Sequence, residues 1–162
     1  MKCRLQYLWP VPLLMLLTIC GCGGESGSSS DSGISEVTFV DNGAVTLNPT
    51  ITTVTFSANS VAYSETQSGN VIEQWSRVVS LSDFSSIQEI IRGYNLSASG
   101  DVTLVNAQSP CIGHHGASIT IKEAGNAHTI KISGLVICQS DSWPEGVRKL
   151  MDLKSDLVAK YQ

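Results

Sequence analysis

The sequence predicts an α+β fold, an antiparallel β-sheet with two amphipathic helices packed on one face. Three observations predict it. Beyond residue 34 the chain is dominated by β-branched residues broken by turn formers. Only two stretches carry apolar residues at helical spacing. Those stretches follow runs of strands instead of alternating with single strands, which argues against a parallel sheet. A chain of 162 residues with 42% hydrophobic side chains suits one domain, placed at residues 35–162.

The elements follow in order. Val37 to Val40, the turn Asp41-Asn42-Gly43 and Ala44 to Leu47 read as strand, tight turn, strand. After Asn48-Pro49, Thr50 to Ser57 is again extended. Val61 to Thr66 and Val71 to Ser80, separated by Gln67-Ser68-Gly69-Asn70, form a candidate long hairpin. Phe84, Ile87, Ile90, Ile91 and Tyr94 mark the first helix, with Ser82 or Ser85 as its cap and Gly93 as its stop. A strand is expected from Asp101 to Val105. Ile119 and Ile121, then Ile130 and Ile132, alternate with Thr120, Lys122 and Lys131 around Ala124 to Ala127; this is the clearest hairpin signal in the chain. Leu135 to Cys138 is a further short strand candidate. Ser142-Trp143-Pro144-Glu145 has capping-box spacing with proline in the first turn. The helix after it carries the stripe Val147, Leu150, Met151, Leu157, Val158 and Tyr161, with Leu153 beside it.

The first 22 residues are of another kind. Lys2 and Arg4 precede an uncharged stretch from Leu5 to Gly21, interrupted by Pro10 and Pro12, at the short edge for a membrane span. A secretory signal peptide over residues 1–21 fits this better. Ile19-Cys20-Gly21-Cys22 resembles the lipobox of bacterial lipoproteins. The resemblance covers the signal peptide alone and implies diacylglyceryl transfer to Cys22, cleavage before it, and N-acylation of the new terminus. Gly23 stands where, in proteobacterial lipoproteins, an aspartate marks inner-membrane retention, so the resemblance implies a periplasm-facing, lipid-anchored protein of the outer membrane. Residues 22–34 are then the lipidated cysteine and a Gly/Ser tether. The eleven residues from Gly23 to Gly33 span about 20 Å as a flexible coil.

Processing changes the cysteine and charge balance. Cys3 and Cys20 leave and Cys22 carries lipid, so Cys111 and Cys138 remain, a pair expected to form a disulfide in an oxidising compartment. Closing that 28-residue loop would contribute about 3–4 kcal/mol on the chain-entropy model. Loss of Lys2 and Arg4 leaves eight basic against fourteen acidic residues, a net charge of −6. No basic field exists for nucleic acid.

The reactive side chains gather in Cys111-Ile112-Gly113-His114-His115, with Cys138 and His128 as further donors. Cys111, His114, His115 and Cys138 have the chemistry of a zinc or copper site, but an oxidised cysteine pair offers no thiolate, and no metal is expected. A nucleophilic Cys111 would need reduction and an orienting acid, for which Asp101 or Asp141 could serve. The chain lacks a Gly-x-Ser-x-Gly elbow, a phosphate loop, a His-Glu-x-x-His motif and an EF-hand loop. Glu65 and Glu73 can face one another across the long hairpin, as solvated charges. Trp75 beside Arg77 suits an interface anchor and a packing role equally, whereas Trp143 is placed to close the last helix onto the Cys138 loop.

The expectation is therefore a non-catalytic binding or assembly module of the cell envelope, without cofactor. It would be held to the membrane by its lipid and directed at an envelope protein partner; inhibition of an envelope-attacking enzyme falls in this class. The alternative is a metal-binding or thiol-active protein centred on the Cys/His cluster.

Overall fold

The computed structural model describes residues 33–43, 46–103, 116–133 and 143–162. Their core is a six-stranded, wholly antiparallel sheet, and with two helices the fold is α+β. The strands are β1 (Ile34–Asp41), β2 (Thr50–Ser57), β3 (Ser60–Gln67), β4 (Asn70–Val78), β5 (Ala117–Glu123) and β6 (Asn126–Ile132), in the order β4-β3-β2-β1-β5-β6. Helix α1 spans Leu81–Gly93 and helix α2 spans Glu145–Tyr161.

Register sorts the side chains into two faces, because cross-strand partners in an antiparallel sheet point the same way. Val37 pairs with Phe56 and Ile121, and Phe39 with Val54 and Ile119, which in turn meets Ile130. All seven are buried. The opposite rows are polar. Thr55, Thr38, Thr120 and Thr129 run across four strands, with hydroxyl contacts of 3.1 Å between Thr38 and Thr55 and 3.0 Å between Thr120 and Thr129. Alternation of apolar and β-branched polar residues serves both faces at once. The apolar rows and the stripes of both helices belong to one buried cluster, including Phe84, Ile87, Ile91, Val147, Leu150 and Leu157.

The turns explain the hairpins. Ser68 and Gly69 (φ 51° and 80°) link β3 to β4, and Ala124 and Gly125 (φ 49° and 80°) link β5 to β6. Two successive left-handed residues make the turn whose twist matches paired strands.

Several expectations are corrected. The return partner of β1 is β2, with Asp41 opposite Thr52; of the strand expected at 44–47, Ala44 and Val45 lie outside the described residues. Thr46 to Asn48 are bends and Leu47 is fully exposed. The eight-residue β2 offers Val54 and Phe56 for burial. Gly43 turns the chain away at φ 65°, its N–H held 2.8 Å from Asp41 Oδ1. The cap of α1 is Ser80, not Ser82 or Ser85; its hydroxyl accepts from the Asp83 N–H at 3.2 Å. Helix α1 includes Gly93, and left-handed Asn95 (φ 52°) ends it, followed by a 3₁₀ turn over Leu96–Ala98. Of the strand expected from Asp101 to Val105, residues 101–103 are described, and there Val102 makes a single parallel bridge to Ile132; the strand expected at Leu135 to Cys138 lies outside the described residues. Pro144 is itself the N-cap of α2, which has no side-chain cap bond, so proline precedes the first turn instead of lying in it.

Matching clasps join the ends of the antiparallel helix pair. Near the start of α1, Asp83 accepts from Lys160 Nζ at 2.7 Å and from the Tyr161 hydroxyl, which itself accepts from the Ser80 N–H at 3.0 Å. At the other end, Glu145 accepts from the Tyr94 hydroxyl at 3.0 Å and pairs with Lys149 at 2.8 Å, while Lys149 also donates to Tyr94 at 2.7 Å.

Candidate interaction surface

Of the site residues expected from sequence, Cys22, Cys111, His114, His115 and Cys138 lie outside the described residues, as does Asp141. His128 is described. It pairs with Ile121 near the start of β6, and its Nε2 lies 2.7 Å from the Ser99 carbonyl oxygen. A cavity of about 260 Å³ opens beside it, lined also by Ser97, Glu123 and Asn126. Among the described residues no group of three His, Cys, Asp or Glu side chains is arranged to hold a metal. Trp143 packs, partly buried, against the hydrophobic cluster.

A distinct constellation lies on the β3–β4 hairpin. Tyr63 stands opposite Trp75, Glu65 opposite Glu73 and Val61 opposite Arg77, all on the face that carries the core. The Tyr63 and Trp75 rings stack with centroids 5.0 Å apart and planes at 4°. The Arg77 guanidinium lies 5.7 Å from the Trp75 ring centroid, within cation–π range. Tyr63 donates its hydroxyl to Glu65 Oε2 at 3.0 Å. Burial, then the adjoining Glu65 carboxylate, raises the Tyr63 phenol above its ordinary pKa, so it stays a protonated donor.

The charges here are unbalanced. The ion pairs among the described residues are Lys122–Glu36, Lys149–Glu145 and Lys160–Asp83; Glu65, Glu73 and Arg77 belong to none. Arg77 instead donates to the neighbouring Ser76 carbonyl at 3.0 Å. The Trp75 Nε1–H is buried without a partner among the described residues.

Next to this row runs the outer edge of β4, which no described strand covers. Val71, Ile72 and Val78 on it are 58%, 54% and 81% exposed, and Leu81 at the start of α1 is 74% exposed. The sequence singled out Trp75, Arg77 and the facing carboxylates. It did not single out Tyr63, whose stacking depends on a cross-strand register that composition does not display. In comparisons with known proteins, no family model and no curated protein matches this chain.

Proposed function

We propose that this protein is a lipid-anchored, non-catalytic assembly module of the bacterial envelope, binding a protein partner through the β3–β4 hairpin. The observation that carries this reading is the Tyr63–Trp75–Arg77 row beside an apolar strand edge that no described strand pairs. Tyr, Trp and Arg are the residue types that dominate interface energetics, and an open edge supplies main-chain hydrogen bonds to an added strand. In the fold proposed, both helices cover one face of the sheet; burial of the Val37 and Phe39 rows together with Ile87, Ile91 and Leu150 supports this. The threonine face is then left to solvent.

The anchoring part of the proposal rests on the lipobox resemblance. Cys22 would carry the acyl chains, whose combined burial at about 0.8 kcal/mol per methylene gives durable attachment. Gly33, at the start of the described domain, accepts at 3.4 Å from the Ala124 N–H.

Two experiments test the proposal. Metabolic labelling with palmitate should mark the wild-type chain, and Cys22→Ala should move it from the membrane fraction to the soluble one. Unlabelled protein, or unchanged membrane association with the signal peptide cut, refutes the anchor. Cross-linking in intact envelopes should join the chain to another polypeptide, with the yield lost in Trp75→Ala. A yield insensitive to Trp75→Ala refutes the assigned surface.

A further inference from the structure

The β4 edge has a property beyond exposure, because its sequence complements itself. Laid antiparallel against its own copy about Trp75, the strand sets Glu73 opposite the partner's Arg77. The same register sets Gln74 opposite the partner's Ser76 and the two Trp75 rings opposite one another. Each unlike pair occurs twice by symmetry. A register two residues away in either direction sets Glu73 opposite the partner's Trp75 or the partner's Val79 and loses both ion pairs.

We propose that the polypeptide docking on β4 is a second copy of this chain, joined through antiparallel β4–β4 pairing centred on Trp75. The inference rests on the assembly role of the β3–β4 hairpin argued above and names its partner. Three observations carry it. First, Glu73 directly faces Glu65 across the hairpin, and like charges directly opposite in a sheet destabilise it. The partner's Arg77 would offset that repulsion. Second, Arg77 has no carboxylate partner among the described residues and is exposed. Third, of the seven large apolar residues exposed among the described residues, Val71, Ile72, Val78 and Leu81 lie along or beside this edge.

Bulges and inward-pointing charges commonly protect sheet edges from pairing. Here the register shift in β4 falls between the partners of Glu65 and Thr66, before the stretch 73–77 begins. The charges within that stretch are matched to their own copies. Pairing would extend the sheet from six strands to twelve, with the Tyr63–Trp75 stacks of both copies meeting in one aromatic row. So short an interface gains from confinement, because anchoring both copies in one membrane raises their effective concentration.

The test uses the full chain in its own membranes. Gln74→Cys and Ser76→Cys copies expressed together, with Trp75 kept in both, should give a covalent dimer under mild oxidation, and Thr129→Cys on β6 should not. In that cysteine pair, Glu73→Arg or Arg77→Glu in both copies should lower the dimer yield about tenfold, since each reverses two cross-strand pairs. The double variant, which exchanges the charges, should restore the yield to within about twofold. As a check independent of the new cysteines, light scattering of the detergent-solubilised wild type should report two chains, and each single charge reversal one. A single chain for the wild type, or no rescue by the double variant, overturns the inference. If the wild type is then still cross-linked to another envelope protein through Trp75, the assembly role stands and only the self-pairing falls. If no partner of either kind is captured, both fall.

Discussion

Asp83→Asn tests whether the helix pair is held by an ionised clasp. The Asp83 side chain is 18% exposed. Its carboxyl is lowered from 3.8 to about 2, first by the hydrogen bond from Lys160, then by those from Tyr161 and Ser80. At 1.36 kcal/mol per pKa unit the full shift would contribute about 2.4 kcal/mol. The Lys160 side chain is 54% exposed, so solvent screening reduces the realised value to about 1 kcal/mol. The folded-state pKa lies below the unfolded one. The contribution is therefore complete above pH 3.8 and is lost as pH falls through that value towards 2. Asp83→Asn should thus lower stability by about 1 kcal/mol at pH 7, a fall in Tm of about 3–5 °C for a domain of this size. The gap should shrink to about half at pH 3 and narrow in high salt. Urea unfolding followed by circular dichroism at pH 7, 5 and 3 measures it. A gap that stays constant with pH and salt would refute the electrostatic account and leave only lost packing.

Other changes probe other contacts. Gly146→Ala should destabilise by about 1–3 kcal/mol, because a Cβ there would land on Cβ and Cγ of Tyr94; a stabilised variant in thermal unfolding would show that the helices can separate at no cost. Phe56→Ala should cost about 3–5 kcal/mol in the same assay, since Phe56 is fully buried and packs edge-on to Phe39 at 6.1 Å. Cys111→Ser and Cys138→Ser should each lower stability, and the double variant no further than one alone; additive losses would argue against their pairing. Intact mass before and after reduction should differ by two hydrogen atoms, and free thiols with bound zinc or copper would favour the metal reading.

Much of the sheet could be read from residue order because its causes are local. Ile119, Ile121, Ile130 and Ile132 alternate with polar residues, and Gly125 sits where a left-handed turn is needed, so β5 and β6 follow from neighbours. The helical spacing of Phe84, Ile87 and Ile91 placed α1 equally well. Boundaries were less legible. Ser80, Ser82 and Ser85 are chemically alike, and which one caps α1 depends on where β4 ends and on Tyr161, 81 residues away, binding the Ser80 N–H. Ala44 to Leu47 had the local look of a strand, yet it is β2 that pairs with β1 as its return strand.

The candidate surface divides in the same way. Sequence alone determined the presence of Trp75, Arg77, Glu65 and Glu73, the signal-like start ending at Cys22, and the short-range periodicities that decide helix or strand. Only the tertiary structure decided that Tyr63 lies on Trp75, that Asp83 meets Lys160 and Tyr161, and that β4 ends the sheet with apolar residues exposed. Periodicity reflects how a residue sits on its own backbone. Register and edge position reflect competition among distant segments for the same buried area, which is settled only when the whole chain has packed.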